Sequence, residues 1–294
     1  MNVDEIAREI KKTGSNRVFV QIPEGLKKTA TRLVSEIEKS GSSAFLSAEP
    51  CYGACDLRTK EAEILGCDLI VHIGHSEFYR KIKTKIPVLY FPVEIDADIK
   101  KTDFSRIPEK KIGVITTIQH MEMMKDIKKM LRDSGKNPVV AGQVLGCWNE
   151  NAKKIEKDVD AFLFVGSGEF HPTGLRAKNI YVLDLEKHEI RKIDRTGLEK
   201  IRYANIFRAK SAKSFGILVS TKPGQFDIKN AENAKKLLER KGKKAFILIM
   251  DNINSQILEG IDVDAFINTA CPRIAEDKFA KPIINHTDLE EVFM

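Results

Sequence analysis

One unit of strand and helix signals recurs three times along these 294 residues, and that recurrence leaves few architectures open. Each copy opens with a short apolar strand, at Val18-Phe-Val-Gln-Ile22, Ile112-Gly-Val-Ile-Thr116 and Phe215-Gly-Ile-Leu-Val-Ser220. A helical pattern follows each strand and stops at Gly41, Gly135 or Gly242, where glycine suits the left-handed position just past a helix end. A second strand comes next (44–47, 139–141, 245–249), then a short helical stretch. A third strand opens on Asp68, Asp160 or Asp264, and a fourth closes the copy (88–91, 180–183, 282–285). The glycines lie 94 (41 to 135) and 107 (135 to 242) residues apart, and the aspartates 92 (68 to 160) and 104 (160 to 264). Strands alternating with helices predict the α/β class: three tandem homologous βαβ-type units, each a small parallel sheet flanked by helices, around a pseudo-threefold axis. The expected boundaries are 1–107, 108–197 and 198–294. The stretch Leu185–Ser214 departs from the pattern, and its charged helix, about Leu198–Lys210, reads as the link from the second copy to the third. Units this small are expected to pack on one another. The alternative is one large doubly wound domain whose strands merely look alike.

Composition narrows the class further. A hydrophobic fraction of 42% with 15 Phe supplies a core, which excludes a disordered chain. No apolar run approaches ~18 residues, so no transmembrane helix is expected, nor a membrane partner. Met1-Asn-Val-Asp-Glu5 has neither a basic nor an apolar leader segment, which predicts a cytoplasmic protein. With 49 Lys+Arg against 42 Asp+Glu, the net charge of +7 suits an acidic or RNA-bearing partner without requiring one, and no direct nucleic-acid contact is expected. Five cysteines, an odd number, read as thiols or metal ligands in a reducing compartment.

Ligands of open α/β sheets bind outside the carboxyl ends of the strands, and the loops there hold most of the cysteines. Cys55 and Cys147 follow the second strands of copies one and two, and Cys271 follows the third strand of copy three. Around a pseudo-threefold axis they could converge, although 92 (55 to 147) and 124 (147 to 271) residues separate them. Three thiolates without an obvious fourth ligand suit a cubane iron–sulfur cluster with one open iron, or a catalytic zinc with an open position. The plainer reading makes each a small buried thiol. Cys67, entering an apolar strand, reads as core. Cys51-x-x-x-Cys55 begins the triple-cysteine pattern of ordinary radical S-adenosylmethionine enzymes, but Arg58 stands in the third place. Polar loops bearing Gly25, Ser167 with Gly168, and Gln225 can hold a carboxylate or phosphate through backbone N–H groups. His72 reads as a core histidine, whereas His75 and His171 lie in loops and are candidates for the site. Met121, Met123, Met124 and Met130 read as packing, and Lys125–Lys129 as solvated surface.

Seven loops taken together carry a family resemblance. They are Gln21-Ile-Pro-Glu-Gly-Leu26, Tyr52-Gly-Ala-Cys55, His72-Ile-Gly-His-Ser76, Gly142-Gln-Val-Leu-Gly-Cys147, Gly168-Glu-Phe-His-Pro172, Val219-Ser-Thr-Lys222 with Gly224-Gln225, and Asn268-Thr-Ala-Cys-Pro-Arg-Ile274. In this order, over about residues 17–285, they resemble the archaeal diphthamide synthases that act first in diphthamide formation. The resemblance implies an enzyme, a non-classical radical transferase with a [4Fe–4S] cluster on Cys55, Cys147 and Cys271. It implies S-adenosylmethionine as substrate, with its 3-amino-3-carboxypropyl group passing to a histidine of translation elongation factor 2. An electron donor and a homodimer follow from the same likeness. Arg273, Gln225, Ser167, Gly168, His171, Gly25 and His75 are the expected contacts for S-adenosylmethionine, and Cys51 departs from the family pattern. Two other readings stand beside it: a quinolinate-synthase-like cluster enzyme acting on small acids, and a non-catalytic cluster-bearing partner subunit.

Overall fold

A computed structural model describes residues 1–100, 102–177 and 179–294. The first sheet holds β1 (Arg17–Gln21), β2 (Ser43–Leu46), β3 (Leu69–Ile73) and β4 (Val88–Phe91). The second holds β5 (Lys111–Thr116), β6 (Asn137–Gln143), β7 (Ala161–Val165), β8 (Ile180–Asp184) and β9 (Glu189–Lys192). The third holds β10 (Ser214–Ser220), β11 (Lys244–Met250), β12 (Ala265–Asn268) and β13 (Ile283–Asn285). The orders are β2-β1-β3-β4, β6-β5-β7-β8-β9 and β11-β10-β12-β13, so each sheet places its strands second, first, third, fourth. Every pairing is parallel except β8 with β9. In such an order the chain reverses direction across the sheet between its first and third strands, and a crevice opens at their carboxyl ends.

The repeated aspartates account for the recurrence. Asp68 accepts from the backbone N–H of Asn16 (2.9 Å) and Arg17 (3.1 Å), Asp160 from Lys111 (3.0 Å), and Asp264 from Lys213 (2.8 Å) and Ser214 (2.9 Å). Each carboxylate ties the entry of a third strand to the start of its first strand, which sets the register of the pair. The helix-ending glycines take the expected left-handed backbone, with φ of 102° at Gly41, 75° at Gly135 and 71° at Gly242.

Helices cover both faces of each sheet, which explains why β3 and β7 are buried throughout, β7 as an unbroken apolar run and β3 as one interrupted only by His72. On the first sheet, α1 (Val3–Thr13) and α2 (Ala30–Lys39) bring Ile6, Ile10, Leu33 and Ile37 against Val18, Val20 and Val71. Ala62 of α3 (Thr59–Ile64) and Cys67 pack on the other face with Phe19 and Ile70, as expected of a core thiol. On the second sheet, α4 (Met124–Asp133) buries Met124, Ile127 and Leu131, while α5 (Glu150–Ile155) buries Ala152 against Phe162 and Phe164. On the third, α6 (Thr196–Lys210) and α7 (Ile228–Arg240) pack Ile206, Ala209, Ala231 and Leu238 on Phe215, Ile217 and Val219. Leu258 of α8 (Ser255–Glu259) takes the opposite face with Leu218 and Phe266.

The chain divides into two compact units, Met1–Ile193 with the first two sheets and Asp194–Met294 with the third. Two features lie beyond the sequence pattern. Helix α6, read as a link, is an integral layer of the second unit, where Arg202 grips Asp288 through two bonds (3.1 and 2.9 Å) and also reaches Glu291. Strand β9 adds an antiparallel edge within the stretch that departs from the repeat. Its four residues bury only Ile190, too little periodicity to announce a strand.

Candidate functional site

Within the first unit, two cysteine loops are built from polar residues that end or follow apolar strands. Gln21, fully buried at the end of β1, donates its amide to the Asp56 carbonyl and accepts from the Arg58 N–H at 3.3 Å. The Asp56 N–H closes a turn on the Gly53 carbonyl at 3.0 Å, leaving Cys55 half-buried between the two clamps. Past β6, Leu145 and Trp148 exchange backbone bonds of 2.6 and 3.1 Å, which present Cys147 on a tight turn. That turn is pressed against the loop after β7. A Cβ on Gly174 would stand 2.2 Å from the Gly146 carbonyl oxygen, and one on Gly146 would stand 2.8 Å from the Phe170 ring. Glycine is therefore required at both positions for the loops to close. Asn149 secures the junction by donating to the Gly174 carbonyl at 2.8 Å.

Tyr79 lies within electrostatic reach of both thiols. Its ring stacks on Trp148 at 5.3 Å and 15°. Burial pushes its hydroxyl pKa up, and the Cys147 and Cys55 sulfurs push it further in the same direction. The ends of the two sheets are joined by Gln143 donating to Ser76 (3.1 Å) and Gln119 donating to the Gly74 carbonyl (2.8 Å). The structure thus brings the Cys55 and Cys147 loops to one aromatic wall.

In the second unit, Asn268 plays the part that Gln21 plays in the first. Buried at the end of β12, it donates to the Cys271 carbonyl (2.8 Å) and accepts from the Ala270 N–H (3.0 Å). Cys271 is half-buried at the start of a 3₁₀ turn over Pro272–Glu276. Burial raises its thiol pKa, opposed by the Arg273 backbone N–H and guanidinium. The Arg273 guanidinium already holds Glu276, whose carboxyl burial pushes up and Arg273 pulls down. Gln225 lies in a turn after β10, its N–H on the Lys222 carbonyl at 2.9 Å. Lys222 is itself buried and reaches Asp251 at 3.2 Å. Gln21, Lys222 and Asn268 fall within the loops that carry the resemblance but received no role of their own, and Asp251 was not read. The available signal was a polar side chain at or just past the end of an otherwise apolar strand.

The remaining expected contacts are scattered over loops at the same edges. Ser167 and Gly168 are exposed, the latter at φ 75°. Gly25 is exposed on the short helical turn Glu24–Thr29. His171 sits against Phe164 (6.2 Å) and edge-on to Phe170 (5.2 Å). His75 does not face outward with these groups. It turns back onto His72, with Nδ1 3.0 Å from His72 Nε2, and the Cys51 sulfur lies 4.0 Å from that same Nε2. Burial holds His72 down to about 3 and His75 to about 4, while burial and the Asp56 charge push the Cys51 thiol up to about 12. All three are therefore uncharged at neutral pH. His72 is buried as expected, but it is a member of a cluster rather than an isolated core histidine.

Each of the three half-buried thiols, held at a strand carboxyl edge, is a soft donor suited to iron–sulfur or zinc chemistry. The chain matches the family model described as putative diphthamide synthesis protein over residues 22–294. It is 34% identical to the 2-(3-amino-3-carboxypropyl)histidine synthase of Pyrococcus horikoshii, covering 97% of this chain and 88% of that protein. With subunit 1 of the synthase from Schizosaccharomyces pombe the identity is 30%, covering 95% of this chain and 70% of that one. The crystal structure of Dph2 from Pyrococcus horikoshii matches with a TM-score of 0.91 at 32% identity, over 99% of this chain and 90% of that one. The same protein with a 4Fe-4S cluster gives a TM-score of 0.90 at 33% identity, again over 99% and 90%.

Proposed function

This chain belongs to the diphthamide synthesis protein family, and we propose that it transfers the 3-amino-3-carboxypropyl group of S-adenosylmethionine to a histidine of translation elongation factor 2. One observation carries the reading: Cys55, Cys147 and Cys271 each stand half-buried on a loop at the carboxyl edge of a different sheet. The similarity to a Dph2 structure holding a 4Fe-4S cluster supports it. On this reading the three thiols would hold a [4Fe–4S] cluster, with three ligands leaving one iron open. When bound, that group would supply one electron to the sulfonium, so that the bond to the methionine γ-carbon breaks, methylthioadenosine leaves, and the histidine carbon that takes up the group gives up its proton and the surplus electron.

The residues of this chain bind and orient. Gln21 and Asn268 set the Cys55 and Cys271 loops through the bonds described above. Arg273 offers a cation to the methionine carboxylate, shared with Glu276. Gln225, His171, Gly25 and the Ser167–Gly168 amides line the same substrate. The division into units 1–107, 108–197 and 198–294, one cysteine from each, belongs to this proposal, as do a homodimer, an external electron donor and a cytoplasmic location.

Anaerobic incubation with S-adenosylmethionine, dithionite and elongation factor 2 is expected to release methylthioadenosine. Peptide mass spectrometry of the factor should find the aminocarboxypropyl group on one histidine. Release of 5′-deoxyadenosine and methionine would mean that the ribose bond breaks, and the reading falls. Turnover of small acids to quinolinate without S-adenosylmethionine overturns it equally.

A further inference from the structure

We propose that Cys51, His72 and His75 form a second metal site, separate from Cys55, Cys147 and Cys271, that takes a single borderline-soft cation such as zinc. The topology assembles it. Strands β2 and β3 flank β1, and Gln21 at the end of β1 pairs with His72. The chain leaving β2 therefore passes across the end of β1 toward β3, and Cys51 meets His72 there. Gly74, at φ 90°, packs so tightly on Pro23 that a Cβ would stand 2.8 Å from the proline ring. This turn folds His75 back over His72.

The three donor atoms all lie within 4.8 Å of one another. A tetrahedral zinc with Zn–N of ~2.0–2.1 Å and Zn–S of ~2.3 Å needs nitrogens roughly 3.3 Å apart and a sulfur roughly 3.6 Å from each. The observed 3.0 Å between the two nitrogens and 4.0 Å from sulfur to His72 Nε2 come within a few tenths of an ångström of two of these distances, and the third, from sulfur to His75, lies within 4.8 Å. Protein contacts alone leave the set poorly served. An imidazole nitrogen has one in-plane valence, so His72 Nε2 can answer His75 or Cys51 but not both. A cation between the three answers each of them.

The chemistry of the set selects the ion. One thiolate and two neutral imidazoles are ligands for zinc and its soft neighbours, not for magnesium or calcium, which need several oxygens. A bound dication deprotonates the thiol outright, leaving a net charge of +1. The Asp56 carboxylate, close enough for its charge to act on Cys51, opposes that charge more strongly than the Arg58 guanidinium, which also reaches Cys51, adds to it. One sulfur is too few for an iron–sulfur cluster, so the two centres are chemically distinct. The fourth position is left to a small exogenous ligand.

The test uses the full chain, prepared anaerobically with its iron and sulfide assembled, incubated with zinc and freed of loose metal by gel filtration. We expect one zinc per chain by elemental analysis, and a zinc K-edge absorption spectrum fitted by one sulfur and at least two imidazole nitrogens. Cys51→Ser and His75→Gln should each weaken zinc retention against a chelator by tenfold or more, with iron content and the circular dichroism spectrum unchanged. No zinc above background overturns the proposal. So does retention by Cys51→Ser equal to that of the wild type, or a zinc shell with two or more sulfurs, which would place the metal among the other cysteines. If Cys51→Ser does not fold, the absorption spectrum of the wild type decides by itself.

Discussion

The five cysteines differ by what surrounds each sulfur. Cys67 is packed among Phe19, Ala62 and Ile70, and Cys51 is turned toward His72, whereas Cys55, Cys147 and Cys271 stand half-buried on loops. Cys55→Ala, Cys147→Ala and Cys271→Ala should each lose or degrade the iron–sulfur cluster, while Cys67→Ala and Cys51→Ala keep it. Iron, sulfide and visible absorbance measure this. Bleaching in Cys67→Ala with colour retained in Cys147→Ala would reverse the assignment. Arg273 allows a sharper test because it already has an anionic partner. Removing a charge-assisted bond to a carboxylate costs about 1.5–3 kcal/mol, so Arg273→Ala should bind S-adenosylmethionine some ten- to a hundredfold more weakly and keep its cluster. Glu276→Gln releases the guanidinium and should bind S-adenosylmethionine at least as tightly as the wild type. Equal loss in both variants, read by equilibrium dialysis, would mean that the pair only braces the Cys271 turn.

Among the elements, the strands were legible and the clamps that fix them were not. A parallel strand covered on both faces is a continuous apolar run, and such a run shows at any position in a chain; Ala161–Val165 is one. The repeated aspartates were visible as a spacing, but their role depends on pairing with a strand some fifty residues earlier. Asp264 accepts the N–H of Lys213 and of Ser214 and the Ser214 hydroxyl (2.9 Å), and these bonds hold its carboxyl below the usual 3.8. Asp264→Ala should cost about 1 kcal/mol in urea unfolding, below the ~1.5–3 kcal/mol of a bond to a charged group because the site is exposed. The sign with pH follows from the lowered value. The folded state prefers the ionised form, so the contribution is present above pH 3.8 and fades as pH falls through the folded-state value. Variant and wild type should therefore converge in acid; a gap that persists there would assign the loss to packing. Strand β9 went unread because a four-residue edge with one buried side chain carries no period.

For the molecule as a whole, the unit Asp194–Met294 has one complete sheet, helices on both faces and its own core. A domain of about 100 residues with these layers can fold alone. The fragment 194–294 is expected to give one cooperative urea transition with α/β circular dichroism. A broad, non-cooperative loss of signal would show that helix α6 and its Arg202 contacts need the remaining chain. The amino-acid sequence by itself determined the α/β class, the threefold recurrence, the loops that hold Cys55, Cys147 and Cys271, and the burial of Cys67. Each of these is written in local periodicity or in a residue's place after a strand, and local patterns survive without knowledge of distant partners. Only the tertiary structure decided that Tyr79 stacks on Trp148 between two cysteine loops, that Arg273 is held by Glu276, and that Cys51 and His75 close on His72. Those meetings depend on which strands become neighbours. Laying β2 and β3 on either side of β1 sets side by side residues that the chain keeps 21 positions apart, and no periodicity along the chain encodes that adjacency.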